Sequence, residues 1–148
     1  MELTATDVAA HLRSNGLRVT AGRLAVYAAV AETGHRDTEA IATAARDELG
    51  ALSTQAVYGA LQTFTALGLL RRIEPAGSPA RYETRVADNH HHVVCRLCSA
   101  IADVDCEVGV APCLHASADH GFVVDEAEVT FWGLCPACQK TTKTRRAP

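Results

Sequence analysis

Six cysteines carry the clearest chemical signal in the sequence, and all of them lie after residue 86. Four form two Cys-x-x-Cys pairs, Cys95 with Cys98 and Cys135 with Cys138, separated by 36 residues. Each pair can present two thiolates from one tight turn, and two pairs complete the tetrahedral sulfur set typical of structural Zn²⁺. Disulfide redox pairs and coincidence are the competing interpretations, which two pairs in one cytosolic chain disfavour. We therefore predict one structural zinc ion, with a strand in "GFVVDEAEVTFWGLC" bringing the second pair to the first.

Three consecutive histidines precede the first cysteine pair in "NHHHVVCRLC". On a strand, His90 and His92 would project from one face and His91 from the other. Further ligands would have to come from elsewhere in the chain, and the candidates are Glu83, Asp103, Asp105 and His35. Such a set of nitrogen and oxygen ligands suits Fe²⁺, Mn²⁺ or Zn²⁺ better than a soft metal. A solvated polar strand is the alternative, because a lone His-x-His pair is a weak signal.

The distribution of charge divides the chain near residues 86–88. Residues 1–86 carry nine arginines and nine acidic groups, whereas residues 87–139 carry one arginine and eight acidic groups. Four basic residues follow from Lys140 onward. We therefore predict two domains, residues 1–86 and residues 87–148, with a short basic tail that we expect to be disordered.

The first 86 residues contain four helical patterns and then two short strand-like runs, which the turn "PAGSP" joins as a hairpin. The predicted helices cover Thr6–Ser14, the segment that Thr20 caps and Gly34 follows, Thr38–Leu49, and the segment from Ser53 to Gly68. This order is typical of a winged helix-turn-helix, in which the helix before the hairpin enters the major groove of DNA. A small helical domain with solvated arginines is the alternative.

Composition excludes several classes of protein. Apolar residues make up 48% of the 148 residues, which is enough for a packed core and argues against global disorder. No apolar run approaches the length of a membrane span, and the N-terminal residues lack the pattern of a signal peptide. We therefore expect a cytoplasmic protein that does not bind membranes.

Together these motifs make the chain resemble the ferric uptake regulator family from about Ala5 to Cys138. The segments that carry the resemblance are "GLRVTAGRLAVYAAV", "STQAVYGALQTFTALGLLRRIE", "ARYE", "NHHHVVCRLC", "IADVD" and "FWGLCPAC". The resemblance implies an α+β chain, with an N-terminal winged helix-turn-helix domain joined to a C-terminal α/β dimerisation domain. It also implies a homodimer that binds a pseudo-palindromic operator in double-stranded DNA.

The resemblance assigns residues to two metals, and the expected winged helix places other residues near DNA. It implies structural Zn²⁺ at the four cysteines of the two pairs, and regulatory Fe²⁺ or Mn²⁺ at His35, Glu83, His90, His92 and Asp103. Arg18 and Arg23 would contact the DNA backbone or minor groove, and Gln55 and Tyr58 would read base edges. The remaining residues expected near DNA are Thr20, Ser53 and Thr54. An additional metal site of some family members is not expected in its usual form, since Asn89 replaces a histidine.

Two features favour peroxide as the signal. Asp103 stands where the peroxide-sensing branch tends to have aspartate and iron sensors tend to have glutamate. Cys106 and Cys113 are extra thiols outside both pairs, an arrangement that resembles actinobacterial redox regulators associated with catalase-peroxidase genes. We expect oxidation at His35 or His90 beside bound Fe²⁺, or a disulfide involving Cys106 or Cys113. The alternative for the two extra thiols is two small buried side chains.

Three rival functions follow from the same residues. The nearest is a regulator of the same family that controls iron, zinc or nickel uptake without sensing peroxide. A zinc deaminase would need a His-x-Glu motif with its cysteine pair, and "HHHVVC" has none. A zinc-storage or scaffold protein would leave the order of helices and hairpin unexplained. We therefore predict that the chain is not an enzyme.

Overall fold

The computed structural model describes residues 3–86, 88, 90–105, 118, 120–123 and 128–145. The chain divides into two compact units, residues 1–87 and residues 88–148. None of the described helices is long and apolar enough to cross a membrane.

The first unit contains four helices and a small sheet. Its elements are α1 (Ala5–Ser14), α2 (Ala21–Thr33), β1 (Arg36–Asp37), α3 (Thr38–Leu49), α4 (Thr54–Ala66), β2 (Arg71–Ile73) and β3 (Arg81–Glu83). The strands form one antiparallel sheet in the order β1-β3-β2. Helices followed by a hairpin are the order of a winged helix, so the predicted fold class is confirmed for this unit. Strand β1 was not predicted, because two residues are too few to show a strand period.

Side chains fix where the helices of this unit begin. The hydroxyl of Thr20 accepts a hydrogen bond from the backbone N–H of Arg23 at 3.2 Å. Ser53 Oγ accepts from the backbone N–H of Ala56 at 3.1 Å. Each bond satisfies one of the N–H groups that the first turn of a helix leaves unpaired. Both predicted helix caps are confirmed, and the Ser53 cap sets the first turn of α4.

Burial of one face of α4 turns its other face outward. Val57, Leu61 and Phe64 of α4 are fully buried, and the ring of Phe64 packs edge-on against Tyr27 of α2 with centroids 5.5 Å apart. These residues recur at spacings of four and three, which is the period of one helix face. Tyr58, on the opposite face, is 56% exposed.

The described residues of the second unit form three strands and one helix. Its elements are β4 (His90–Cys95), β5 (Ile101–Asp105), β6 (Thr130–Gly133) and α5 (Pro136–Arg145). The sheet order is β5-β4-β6, with β5 antiparallel and β6 parallel to β4. The expected strand that leads to the second cysteine pair is only four residues long, and part of its predicted length, residues 124–127, lies outside the described residues.

The prediction of a disordered basic tail from Lys140 is wrong up to Arg145. Helix α5 runs from Pro136 to Arg145, directly after Cys135. Proline suits the first turn of a helix, and the N–H of Gln139 bonds the carbonyl of Cys135 at 3.0 Å. The prediction equated polar composition with disorder, whereas lysine, arginine and glutamine have good intrinsic helix propensity. Residues 146–148 lie outside the described residues.

Candidate metal centres

The four sulfur atoms of the two cysteine pairs lie within 4.8 Å of one another. Cys95 ends β4 opposite Gly133 of β6, so the sheet register brings the two pairs together. The Sγ atoms of Cys98 and Cys135 are 3.6 Å apart. In a tetrahedral site with Zn–S bonds of about 2.3 Å, neighbouring sulfurs are roughly 3.8 Å apart. The four thiols therefore fit a closed tetrahedral zinc ion without rearrangement of the backbone.

Three of these thiols, Cys95, Cys98 and Cys138, differ in how easily they ionise. The backbone N–H of Cys135 donates to Cys95 Sγ at 3.4 Å and, with the N–H of Cys98, lowers the pKa of Cys95 to about 6. The N–H of Ala100 favours the Cys98 thiolate, but the sulfurs of Cys95 and Cys135 outweigh it and raise its pKa. The sulfurs of Cys135 and Cys98 raise the pKa of Cys138 to about 12. Binding of a cation to the four sulfurs therefore releases protons from Cys98 and Cys138 at neutral pH.

A second group of ligand-type side chains lies on one face of the second sheet. The rings of His90 and His92 have centroids 4.8 Å apart, and both residues are buried. Asp103 of β5 is the register partner of His92, and its Oδ1 lies 3.6 Å from Nε2 of His92 and 3.9 Å from Nε2 of His90. Two imidazole nitrogens thus converge on one carboxylate oxygen. His91 lies on the other face against Phe131, as strand alternation predicts.

A pair of ligand-type residues belongs to the first unit. Oε2 of Glu83, which is 2% exposed, lies 2.9 Å from Nε2 of His35. His35 has a positive φ of 48°, an uncommon conformation for a residue with a side chain. Arg81 stabilises it, because its Nη1 donates to the His35 carbonyl at 3.0 Å. Arg81 and Glu83 are two residues apart on β3. This short strand therefore contacts both the backbone carbonyl and the ring of His35.

One contact of the second unit was not predicted. Oδ1 of Asp88 lies 2.5 Å from Nδ1 of His90, on the side of the ring away from the nitrogen that faces Asp103. The sequence offers a modest signal for it, a carboxylate two residues before a candidate ligand. The two extra thiols, Cys106 and Cys113, lie outside the described residues.

The residues expected near DNA surround the start of α2 and α4. Gln55 and Tyr58 are exposed on α4, and Arg18 is exposed just before α2. Nη1 of Arg23 donates to the carbonyl of Arg18 at 2.6 Å. Arg18 and Arg23 line a groove between α2 and α4, whereas Gln55 and Tyr58 lie outside that groove.

Three further residues expected near DNA make hydrogen bonds within the protein. The hydroxyls of Thr20 and Ser53 cap helices, and Arg46 donates to the hydroxyl of Thr54 at 2.9 Å. Arg46 also bonds the carbonyl of Leu52 at 2.8 Å, so it fixes the turn that enters α4. The role of Arg46 was not predicted, because its two hydrogen-bond partners lie six and eight residues further along the chain. Contact of the three hydroxyls with DNA stays a prediction.

Comparison with known proteins gives consistent matches. The model of the Ferric uptake regulator family matches residues 14–132. The chain is 56% identical over 142 residues to transcriptional regulator FurA of Mycobacterium tuberculosis, covering 96% of this chain and 97% of that protein. It is 60% identical over 126 residues to ferric uptake regulation protein 1 of Mycolicibacterium fortuitum, covering 85% and 78% respectively.

A solved structure with the same fold is the ferric uptake regulator Fur of Helicobacter pylori. The TM-score is 0.69 at 19% identity, and the match covers 93% of this chain and 95% of that one. At this identity the likeness concerns the fold. It extends the confirmed fold class to the second unit, the α/β domain that follows the winged helix.

Proposed function

The chain belongs to the ferric uptake regulator family of metal-dependent transcriptional regulators, which are not enzymes, and from that premise we propose that it is a dimeric repressor that senses peroxide through bound Fe²⁺ or Mn²⁺. The proposed protein acts in the cytoplasm and controls catalase-type defence genes. Its structural Zn²⁺ is held by the four thiols of the two cysteine pairs. The observation that carries the proposal is the convergence of His90 Nε2 and His92 Nε2 on Asp103 Oδ1.

The proposed regulatory metal is held by residues of both units. His90, His92 and Asp103 would bind it from the second unit, and His35 with Glu83 from the first. Support comes from burial, since His90, His92 and Glu83 are buried, while the side chain of Asp103 is 32% exposed. A cation would balance the charges of the two carboxylates. Mixed nitrogen and oxygen ligands of this kind suit Fe²⁺ and Mn²⁺.

In this proposal the metal biases a conformational equilibrium and does not touch DNA. Ligands from two units can be satisfied together only in one arrangement, so binding favours that arrangement by its differential affinity. In a symmetric dimer, that arrangement spaces two α4 helices to match two half-sites of a pseudo-palindromic operator. Loss of a ligand releases the constraint and the DNA.

Substitutions on the exposed face of α4 and at Arg18 should distinguish residues that read bases from a residue that contacts phosphates. Replacing Gln55 or Tyr58 by alanine should weaken operator binding by about 1–3 kcal/mol, roughly 5- to 150-fold in Kd, and relax base preference. Replacing the exposed Arg18 should weaken binding to all sequences alike and reduce the salt dependence by about one phosphate contact. Fluorescence anisotropy on operator and scrambled duplexes across a salt series distinguishes the two effects. Equal losses on both duplexes for Gln55→Ala and Tyr58→Ala would contradict the assignment.

Peroxide would act on the metal-binding residues themselves. Bound Fe²⁺ supplies the electron transfer that activates peroxide. The net reaction inserts one oxygen atom of peroxide into the imidazole of His35 or His90 and releases the other as water. A thiol route is the second possibility, in which two thiols lose two hydrogens, form a disulfide and reduce peroxide to two waters. Cys106 and Cys113 are the candidate thiols for that route.

Peptide mass spectrometry after a short peroxide pulse tests the signal. We expect one added oxygen on His35 or His90 in protein loaded with Fe²⁺, and none in protein loaded with Mn²⁺. A disulfide involving Cys106 or Cys113 with either metal would instead identify a thiol switch. No modification with either metal would exclude peroxide sensing.

That last outcome would favour an iron-uptake regulator without peroxide sensing. The name of the Mycolicibacterium fortuitum relative, ferric uptake regulation protein 1, favours this second candidate. Both candidates share the metal and DNA sites and differ only in the signal.

A further inference from the structure

We propose that Asp88 is a positioning residue that fixes which nitrogen of His90 is offered to the regulatory metal. The inference rests on the proposed function, because it assigns a role in the same metal site. Asp88 Oδ1 lies 2.5 Å from His90 Nδ1, within hydrogen-bond distance. No sequence motif or assumed ligand set includes this residue.

The contact selects one tautomer of the ring. A carboxylate accepts hydrogen bonds but donates none when ionised, so it favours the form of neutral His90 that carries its proton on Nδ1. The lone pair then lies on Nε2. That nitrogen is the one that faces Asp103 Oδ1, together with Nε2 of His92. Asp88 therefore places the lone pair on the side of the ring where the other candidate ligands are.

The pair is better suited to orienting the ring than to stabilising the fold. The side chain of His90 is fully buried, but that of Asp88 is 40% exposed. Water screens the partly exposed carboxylate, so we expect the contact to contribute little to stability. In metal sites, a carboxylate on the far nitrogen of a ligating imidazole holds the ring and strengthens the donor nitrogen, and its loss typically costs 10- to 100-fold in affinity.

The position of Asp88 in the chain adds a consequence. It is the first residue of the second unit and lies two residues before His90 at the start of β4. The carboxylate that orients a ligand therefore belongs to the segment that connects the two units. Binding of metal through His90 would restrain the end of this connection.

The test compares Asp88→Ala and Asp88→Asn with the wild type and with Glu128→Ala. Glu128 is an exposed carboxylate of the same unit and serves as the control for loss of charge. In zinc-loaded protein without regulatory metal, ¹⁵N-resolved NMR of the imidazoles reports which nitrogen of His90 carries the proton. We expect Nδ1–H in the wild type, in Glu128→Ala and in Asp88→Asn, whose amide oxygen can still accept. Asp88→Ala should shift the proton toward Nε2.

Metal affinity provides the second readout. Competition between the protein and a chelator for Mn²⁺ should show a 10- to 100-fold loss for Asp88→Ala, a smaller loss for Asp88→Asn, and none for Glu128→Ala. Unchanged tautomer and affinity in Asp88→Ala would overturn the inference. If His90→Ala also binds Mn²⁺ as the wild type does, the proposed metal site itself is wrong. If His90→Ala loses affinity and Asp88→Ala does not, the site stands and only the role of Asp88 fails.

Discussion

Replacing Cys95 by serine should abolish binding of structural zinc and unfold the second unit while the helices of the first unit remain. Cys95 is buried at the end of β4, where its sulfur receives the N–H of Cys135 and joins the strand to the second cysteine pair. Structural zinc in small domains contributes on the order of 10–16 kcal/mol of apparent binding energy, which then becomes folding energy. The second unit has only 61 residues, and domains of that size commonly need such a constraint for stability.

Cysteines outside the two pairs provide the matched controls for this prediction. Metal analysis should give one zinc ion per wild-type chain, one in Cys106→Ser and Cys113→Ser, and none in Cys95→Ser. Circular dichroism during heating should show that only Cys95→Ser loses a cooperative transition. Full zinc content in Cys95→Ser, or loss of zinc in either control, would contradict the assigned sulfur set.

Replacing His92 by alanine should remove the response of DNA binding to regulatory metal. His92 is fully buried, and its Nε2 lies 3.6 Å from Asp103 Oδ1. Because His92 would be a direct ligand, we expect the loss of Mn²⁺ affinity to exceed the roughly 10- to 100-fold typical of residues that only orient ligands. Mutual dependence of metal and DNA binding then predicts that Mn²⁺ no longer tightens DNA binding.

His91 is the control for this second prediction, since it adjoins His92 on the opposite face of β4. Chelator competition should give wild-type Mn²⁺ affinity for His91→Gln and a large loss for His92→Ala, with both proteins retaining one zinc ion. Anisotropy should show that Mn²⁺ still tightens operator binding in His91→Gln and no longer does so in His92→Ala. Equal effects of the two substitutions would indicate damage to the sheet and would contradict the ligand assignment.

Local signals in the sequence predicted much of the first unit. Thr20 and Ser53 mark helix starts because one hydroxyl can satisfy a nearby N–H, and the spacing of Val57, Leu61 and Phe64 marks the buried face of α4. Alternation along a strand predicted that His90 and His92 share a face. Each of these inferences depends on residues close together in the chain.

Contacts that depend on pairing between distant segments were harder to predict. Spacing alone left Asp103 and Asp105 as equal candidates, whereas the register places Asp103 opposite His92 and Asp105 opposite His90. The strand β1 exists because it pairs with β3, and helix α5 is fixed at the second cysteine pair. Asp88 was missed because a carboxylate two residues before a candidate ligand does not by itself specify a contact with the His90 ring.

The most direct test of the central claim measures DNA affinity with and without regulatory metal. Zinc-loaded protein would first select duplexes from a random pool in the presence of Mn²⁺, and anisotropy would then give Kd at fixed salt. We predict a pseudo-palindromic selected sequence that binds about 5- to 150-fold more tightly with Mn²⁺, the usual range of allosteric coupling. This gain should vanish in His92→Ala. Equal affinity with and without Mn²⁺ in the wild type would contradict a metal-dependent repressor.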